Sequence, residues 1–162
     1  MKSINFIGIL ILSFLLLRCA PLLPATTIKN SPIETFKYIY ISPTKILTST
    51  TGGVYGGAYG VFGSTQSKSV NPTDVISGIL TKKGFIRLIE QKEELNDKTL
   101  IVNYGESGKR NRGLGYTIEV TIQFVSAKSN ELISSCTAEG QGETEADDIR
   151  QAITRCITAL YP

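Results

Sequence analysis

The chain has 162 residues, 41% of them hydrophobic and 19% charged, the make-up of one ordinary globular domain. Histidine is absent, which removes the usual general base at neutral pH and the commonest metal ligand, so no Ser-His-Asp or Cys-His unit can be built. The formal charge of +3 falls to about +1 when residues 1–18 are set aside with Lys2 and Arg18, and no basic field remains to argue for nucleic acid.

The N-terminus, "MKSINFIGILILSFLLLRCA", places one lysine before an apolar run from Ile4 to Leu17 and then a cysteine. That is the layout of a secretory leader. The run is about 14 residues long, short of the roughly 20 that a spanning helix needs. Its end, "LLRC", resembles a bacterial lipobox, with Leu16 three residues before Cys19. The resemblance implies a signal peptide over 1–18 and a lipidated (palmitate-bearing) Cys19 as the new N-terminus. Arg18 stands where the lipobox pattern has a small residue. Simple secretion and an uncleaved anchor are the alternatives.

Residues 19–34 hold Pro21, Pro24 and Pro32 and show no apolar period, so they read as a semi-extended tether. "TFKYIYI" (35–41) is rich in aromatic and β-branched residues and reads as a strand. In "NPTDVISGILTKKGF", Asn71 is a candidate N-cap, Pro72 the first helical residue and Gly84 the stop. Val75, Ile76, Ile79 and Leu80 then share one helix face. "FIRLIE" (85–90) and "TLIVNYGE" (99–106) read as strands around the charged turn "QKEELNDK".

"GYTIEVTIQFVSA" alternates Tyr116, Ile118, Val120, Ile122 and Phe124 with Thr117, Glu119, Thr121 and Gln123, which predicts a strand with one buried and one wet face. "LISSCTAEG" follows as its antiparallel partner. Thr144 with Asp147 opens a last helix, on which Ile149, Ala152, Ile153, Cys156, Ile157 and Leu160 recur at helical spacing. The expected order is β-α-β-β-β-β-α over residues 35–162. Two one-faced helices are most cheaply buried against one mostly antiparallel sheet, which predicts a two-layer α+β sandwich with both helices on one face. With its leader and this order, the chain resembles small bacterial envelope lipoproteins with a compact α+β body, among them activators and assembly factors that touch envelope enzymes or secretion pores.

Thr51 to Gly63 reads "TGGVYGGAYGVFG". No register supplies G-x-G-x-x-G between strand and helix, and Gly63 is followed by Ser64-Thr65 rather than Lys-Ser/Thr, so a phosphate cradle fails. Gly52, Gly56 and Gly60 fall four apart and resemble a glycine-zipper stripe, which would let helices approach closely in lipid. As a helix the stretch would be only about 18 Å long and would carry a heavy glycine penalty. The remaining reading is a loop over 48–70, either plain or a partner contact through Tyr55, Tyr59 and Phe62.

"GKRNRG" sets Lys109, Arg110 and Arg112 on an expected hairpin tip, which would meet anionic lipid or an acidic partner, or simply be solvated. Glu145, Asp147 and Asp148 lack the spacing of a calcium loop and suit a helix N-terminus, so no metal and no cofactor are expected. Cys136 and Cys156 point into one core layer and either pair as a disulfide or stay reduced. The expectation is a non-enzymatic, membrane-tethered envelope lipoprotein facing the periplasm. It would bind or scaffold an envelope protein and contact the membrane through Cys19, without nucleic acid. The alternative is a membrane-associated oligomer assembled by self-association through the stripe 52–60.

Overall fold

Alternation in the chain's clearest strand sets the centre of the sheet. In the computed structural model, which describes residues 21–57, 60–112 and 115–162, Ile118, Val120, Ile122 and Phe124 are fully buried. Each such side chain contributes about 1.5–3 kcal/mol by leaving water. The pattern slips at its start. Tyr116, expected inside, is 38% exposed, whereas Thr117, expected wet, is fully buried. The Thr117 hydroxyl is satisfied there by the Arg110 carbonyl and the Glu139 carboxylate, which makes burial tolerable.

Eight strands are described: β1 (Thr26–Lys29), β2 (Tyr38–Ile41), β3 (Leu47–Gly57), β4 (Gly60–Val70), β5 (Ile86–Leu88), β6 (Thr99–Arg112), β7 (Gly115–Ser126) and β8 (Leu132–Gly140). Two helices accompany them, α1 (Pro72–Lys82) and α2 (Glu145–Leu160), with short 3-10 turns at Ile33–Thr35 and Glu93–Lys98. The chain is thus mixed α+β and rich in strand. Six strands form one sheet in the order β1-β8-β7-β6-β2-β5, while β3 and β4 pair only with each other. β2 runs parallel to both β5 and β6, and the remaining pairs are antiparallel.

Two sequence expectations change. The segment 48–70, expected as a loop, forms an antiparallel hairpin whose register runs from Leu47 opposite Val70 to Gly57 opposite Gly60. Five glycines between 52 and 60 obscured the β-branched and aromatic residues that favour extended backbone: Thr48, Thr50, Thr51, Val54 and Tyr55 on one arm, Val61, Phe62 and Thr65 on the other. Backbone groups in a stretch this long also need partners, which pairing supplies. The tether expected over 19–34 is shortened in the same way. Thr26–Lys29 adds to the sheet edge antiparallel to β8, with Thr27 opposite Cys136, and Ile33 is buried.

The helix signals act as their chemistry requires. Asn71 accepts a hydrogen bond from the Thr73 amide at 3.1 Å, and Thr144 does the same for Asp147 at 3.3 Å. α1 ends where Gly84 takes φ +96°, a left-handed conformation that glycine adopts without strain. α2 lies against β7 and β8 and touches α1, with Ile149, Ala152, Ile153, Cys156 and Ile157 fully buried. A disulfide joins Cys136 on β8 to Cys156 on α2, with Cα atoms 5.4 Å apart. The closest approach is at Gly140, where a Cβ would stand 1.8 Å from the Asp148 carbonyl oxygen. Only glycine lets the helix sit this near the strand.

Candidate functional site

Strand directions bring several features to one end of the molecule. β6 and β8 both run towards it, β1 runs away from it, and α2 begins there. At its centre is Glu139, 3% exposed near the end of β8. Its carboxylate accepts both Nε and Nη2 of Arg110, at 2.7 and 2.6 Å, and the backbone amide of Leu23 at 3.0 Å. The paired hydrogen bonds from Arg110 outweigh the opposing effect of burial and hold this carboxyl down to about 2.

Arg155 of α2 completes a clamp. Its Nη1 donates to the Glu139 carbonyl, and its Nη2 donates to the Leu23 carbonyl at 2.7 Å. Both backbone groups of Leu23 are therefore held, one by a strand and one by a helix. The entering chain is fixed at a point four residues after Cys19.

The β3–β4 hairpin is rooted beside this clamp. Ser49 Oγ accepts the Ala146 amide at 3.1 Å, in the first turn of α2. Lys68 donates to Asp147 at 2.8 Å and lies 3.6 Å from Glu143. The Asp147 bond is the largest cause raising the Lys68 ammonium above its ordinary value, and the same bond is the largest cause lowering Asp147. From Ile46 to Ser67 the hairpin carries no charged residue.

The three cations expected at a hairpin tip lie on the last four residues of β6, at the end that turns into β7, and each finds a partner in the fold. Lys109 donates to Glu145 at 3.2 Å and stands 5.2 Å from the centre of the Tyr116 ring. Arg110 holds Glu139, and Arg112 donates to Gln141. The carboxylates at the start of α2 are engaged as well: Glu145 by Lys109, Asp147 by Lys68 and Thr144, Asp148 by the Gly142 amide. Asp148 is 4% exposed, and burial pushes its carboxyl up. Beside it lies a polar cavity of about 460 Å³ lined by Thr48, Ser49, Tyr116, Gln141 and Glu143.

Of the residues singled out in the sequence, Lys109, Arg110 and Arg112 thus share one end of the molecule with the hairpin root. Tyr55 lies opposite Phe62 in the hairpin register. Tyr59, Cys19 and residues 1–18 lie outside the described residues. Leu23, Glu139 and Arg155 were not singled out. The one sequence signal for them was Gly140 and Gly142 flanking Gln141, a spacing that marks close backbone approach.

No helix among the described residues is long and apolar enough to cross a membrane. No family model matches the chain, and no curated protein matches it. Among solved structures, a PelC dodecamer from Paraburkholderia phytofirmans is similar at 11% identity and a TM-score of 0.45, over 84% of this chain and 96% of that one. A likeness at this level assigns the chain neither a function nor an assembly.

Proposed function

We propose that the chain is a lipid-anchored protein of the bacterial envelope whose α+β body is a non-catalytic binding or scaffolding module facing the periplasm. The observation that carries this reading is the clamp on Leu23. Four residues reach at most about 14 Å when extended, so an acylated Cys19 would hold the Glu139 end of the body close to the bilayer. Each buried methylene of the acyl chains adds about 0.8 kcal/mol to that attachment. Lys109, whose side chain is 53% exposed, would face the lipid headgroups from the same end. The uncharged hairpin arms around Tyr55 and Phe62 would offer contact to a partner at the membrane. Both helices are read as one layer on one sheet face, a reading supported by the contacts of α2 with β7, β8 and α1. The other face is then left to solvent or a partner.

The test is the intact mass of the protein extracted from its native membrane, beside a Cys19→Ala variant. The expected result is a chain beginning at Cys19 with added acyl mass, which the variant lacks. An unlipidated chain in the membrane fraction would overturn the reading.

A second reading is an oligomer assembled through Gly52, Gly56 and Gly60. It is favoured by one observation: among the described strands, β3 and β4 have no neighbour other than each other. Because this segment is a hairpin, Gly52 and Gly56 stand about 13 Å apart on β3 while Gly60 lies across on β4, and association would run edge to edge between hairpins rather than through close helix packing. A monomer mass for the same extract under native conditions would remove this reading.

A further inference from the structure

At the opposite end of the molecule, the end of α2 and the chain entering β2 and β5 enclose an open cleft of about 890 Å³, the size of a ligand site. Four lysines line it, Lys29, Lys37, Lys83 and Lys98, against Glu34 as the one acidic side chain. Lys29 and Lys83 donate to the carbonyls of Leu160 and Tyr161, each at 2.8 Å, where the helix terminus favours cations. Each ammonium has three donors, so each keeps two for another acceptor. Lys37 and Lys98 make no ion pair among the described residues. The cleft also has apolar walls, in which Phe85 and Tyr161 meet edge to face with ring centres 5.9 Å apart.

Cations around aromatic walls fit an anion carried on an apolar body. The neighbouring sheet edge narrows the class. β5 is the last strand of the six-stranded sheet and presents an outer edge unpaired among the described strands. Its first residue, Ile86, is 45% exposed, and Ile89, just past its end, is 95% exposed. A small anion or a lipid headgroup would leave the length of this strand edge and its isoleucines unused. An extended peptide uses both: one stretch adds to the β5 edge, and its continuation past the start of that strand, rising about 3.3 Å per residue, enters the cleft where its carboxylates meet the lysines.

We propose that this cleft and the adjoining β5 edge bind an acidic peptide segment of another protein, in which carboxylates alternate with aromatic or aliphatic residues. The site does not depend on the lipid anchor.

The experiment is fluorescence anisotropy of a labelled peptide of alternating phenylalanine and glutamate, titrated with the full chain in detergent. The expected result is saturable binding that weakens with salt and falls at least about tenfold in a Lys37→Glu/Lys98→Glu variant. Neither lysine caps a helix, and circular dichroism would verify that the variant folds. Ile89→Asp, at a site almost wholly in solvent, is expected to weaken binding without touching the fold. No binding to the unaltered chain, unchanged affinity in either variant, or equal displacement by inorganic phosphate or phosphatidylglycerol vesicles would overturn the proposal.

Discussion

The two ends of the molecule, joined by a helix about 24 Å long, treat charge in opposite ways. At the Glu139 end nearly every charged group named above is paired within the fold. Arg110, Arg155, Lys68 and Lys109 each hold a carboxylate or a carbonyl, and the result is a closed mount around the entering chain. At the other end Lys29 and Lys83 cap the helix by one bond each, while Lys37 and Lys98 stand around an open cleft. Cations that satisfy buried carboxylates fix a structure, whereas cations left around a concavity present a surface.

The contrast is broken most severely at Gly140. In Gly140→Ala the new methyl meets the backbone of α2 rather than a movable side chain, so helix and strand must separate. Overpacking of this kind costs about 3 kcal/mol or more. Thermal unfolding is expected at a markedly lower temperature than in the parent protein.

Next in size is Glu139→Gln, which removes a charge that accepts from Arg110 and Leu23 at once and is expected to cost about 2 kcal/mol. The carboxyl is held at about 2, below its ordinary value of 4.5. Its contribution is therefore complete above about pH 4.5 and is lost as pH falls from there towards about 2. Chemical unfolding across that range should show a fall in stability for the parent that is flattened in the variant. Amide exchange at Leu23 should quicken with it.

The smallest effect is expected at the cleft end. Lys29→Ala loses one bond to a helix-terminal carbonyl, a change of about 0.5–1 kcal/mol measured by the same unfolding curves, with exchange at Leu23 unchanged. A loss as large as that of Glu139→Gln would mean that the two ends are not built differently after all.

What the sequence made legible was local. Asn71 and Thr144 as caps, Gly84 as a stop and the apolar alternation of 118–124 depend on neighbours a few residues away, and each occupies its expected place. Cys136 and Cys156 could be placed in one layer because each sits on a periodic element, but periodicity alone left open whether they bond. The clamp was not legible, because Leu23 and Glu139 lie 116 residues apart. Their pairing depends on β1 closing the sheet edge, and the three prolines around "ATTIK" mask that strand in the sequence. The hairpin was missed for the corresponding reason. Glycine favours loops, while the threonines and valines between the glycines decide the backbone.

The sulfurs of Cys136 and Cys156 belong to residues 1% and 0% exposed, shut away beneath the last helix. An oxidant or an exchanging thiol can reach them only in a chain whose α2 has not yet seated on β8. Oxidation is thus a step of folding rather than a finishing treatment, and a chain matured under reducing conditions would seal two thiols in their place. The chain has one further cysteine, Cys19, which can compete for either sulfur while its own remains uncapped. On the lipoprotein reading, acylation would do more than moor the protein: by retiring the third thiol, it would guard the pairing of the other two.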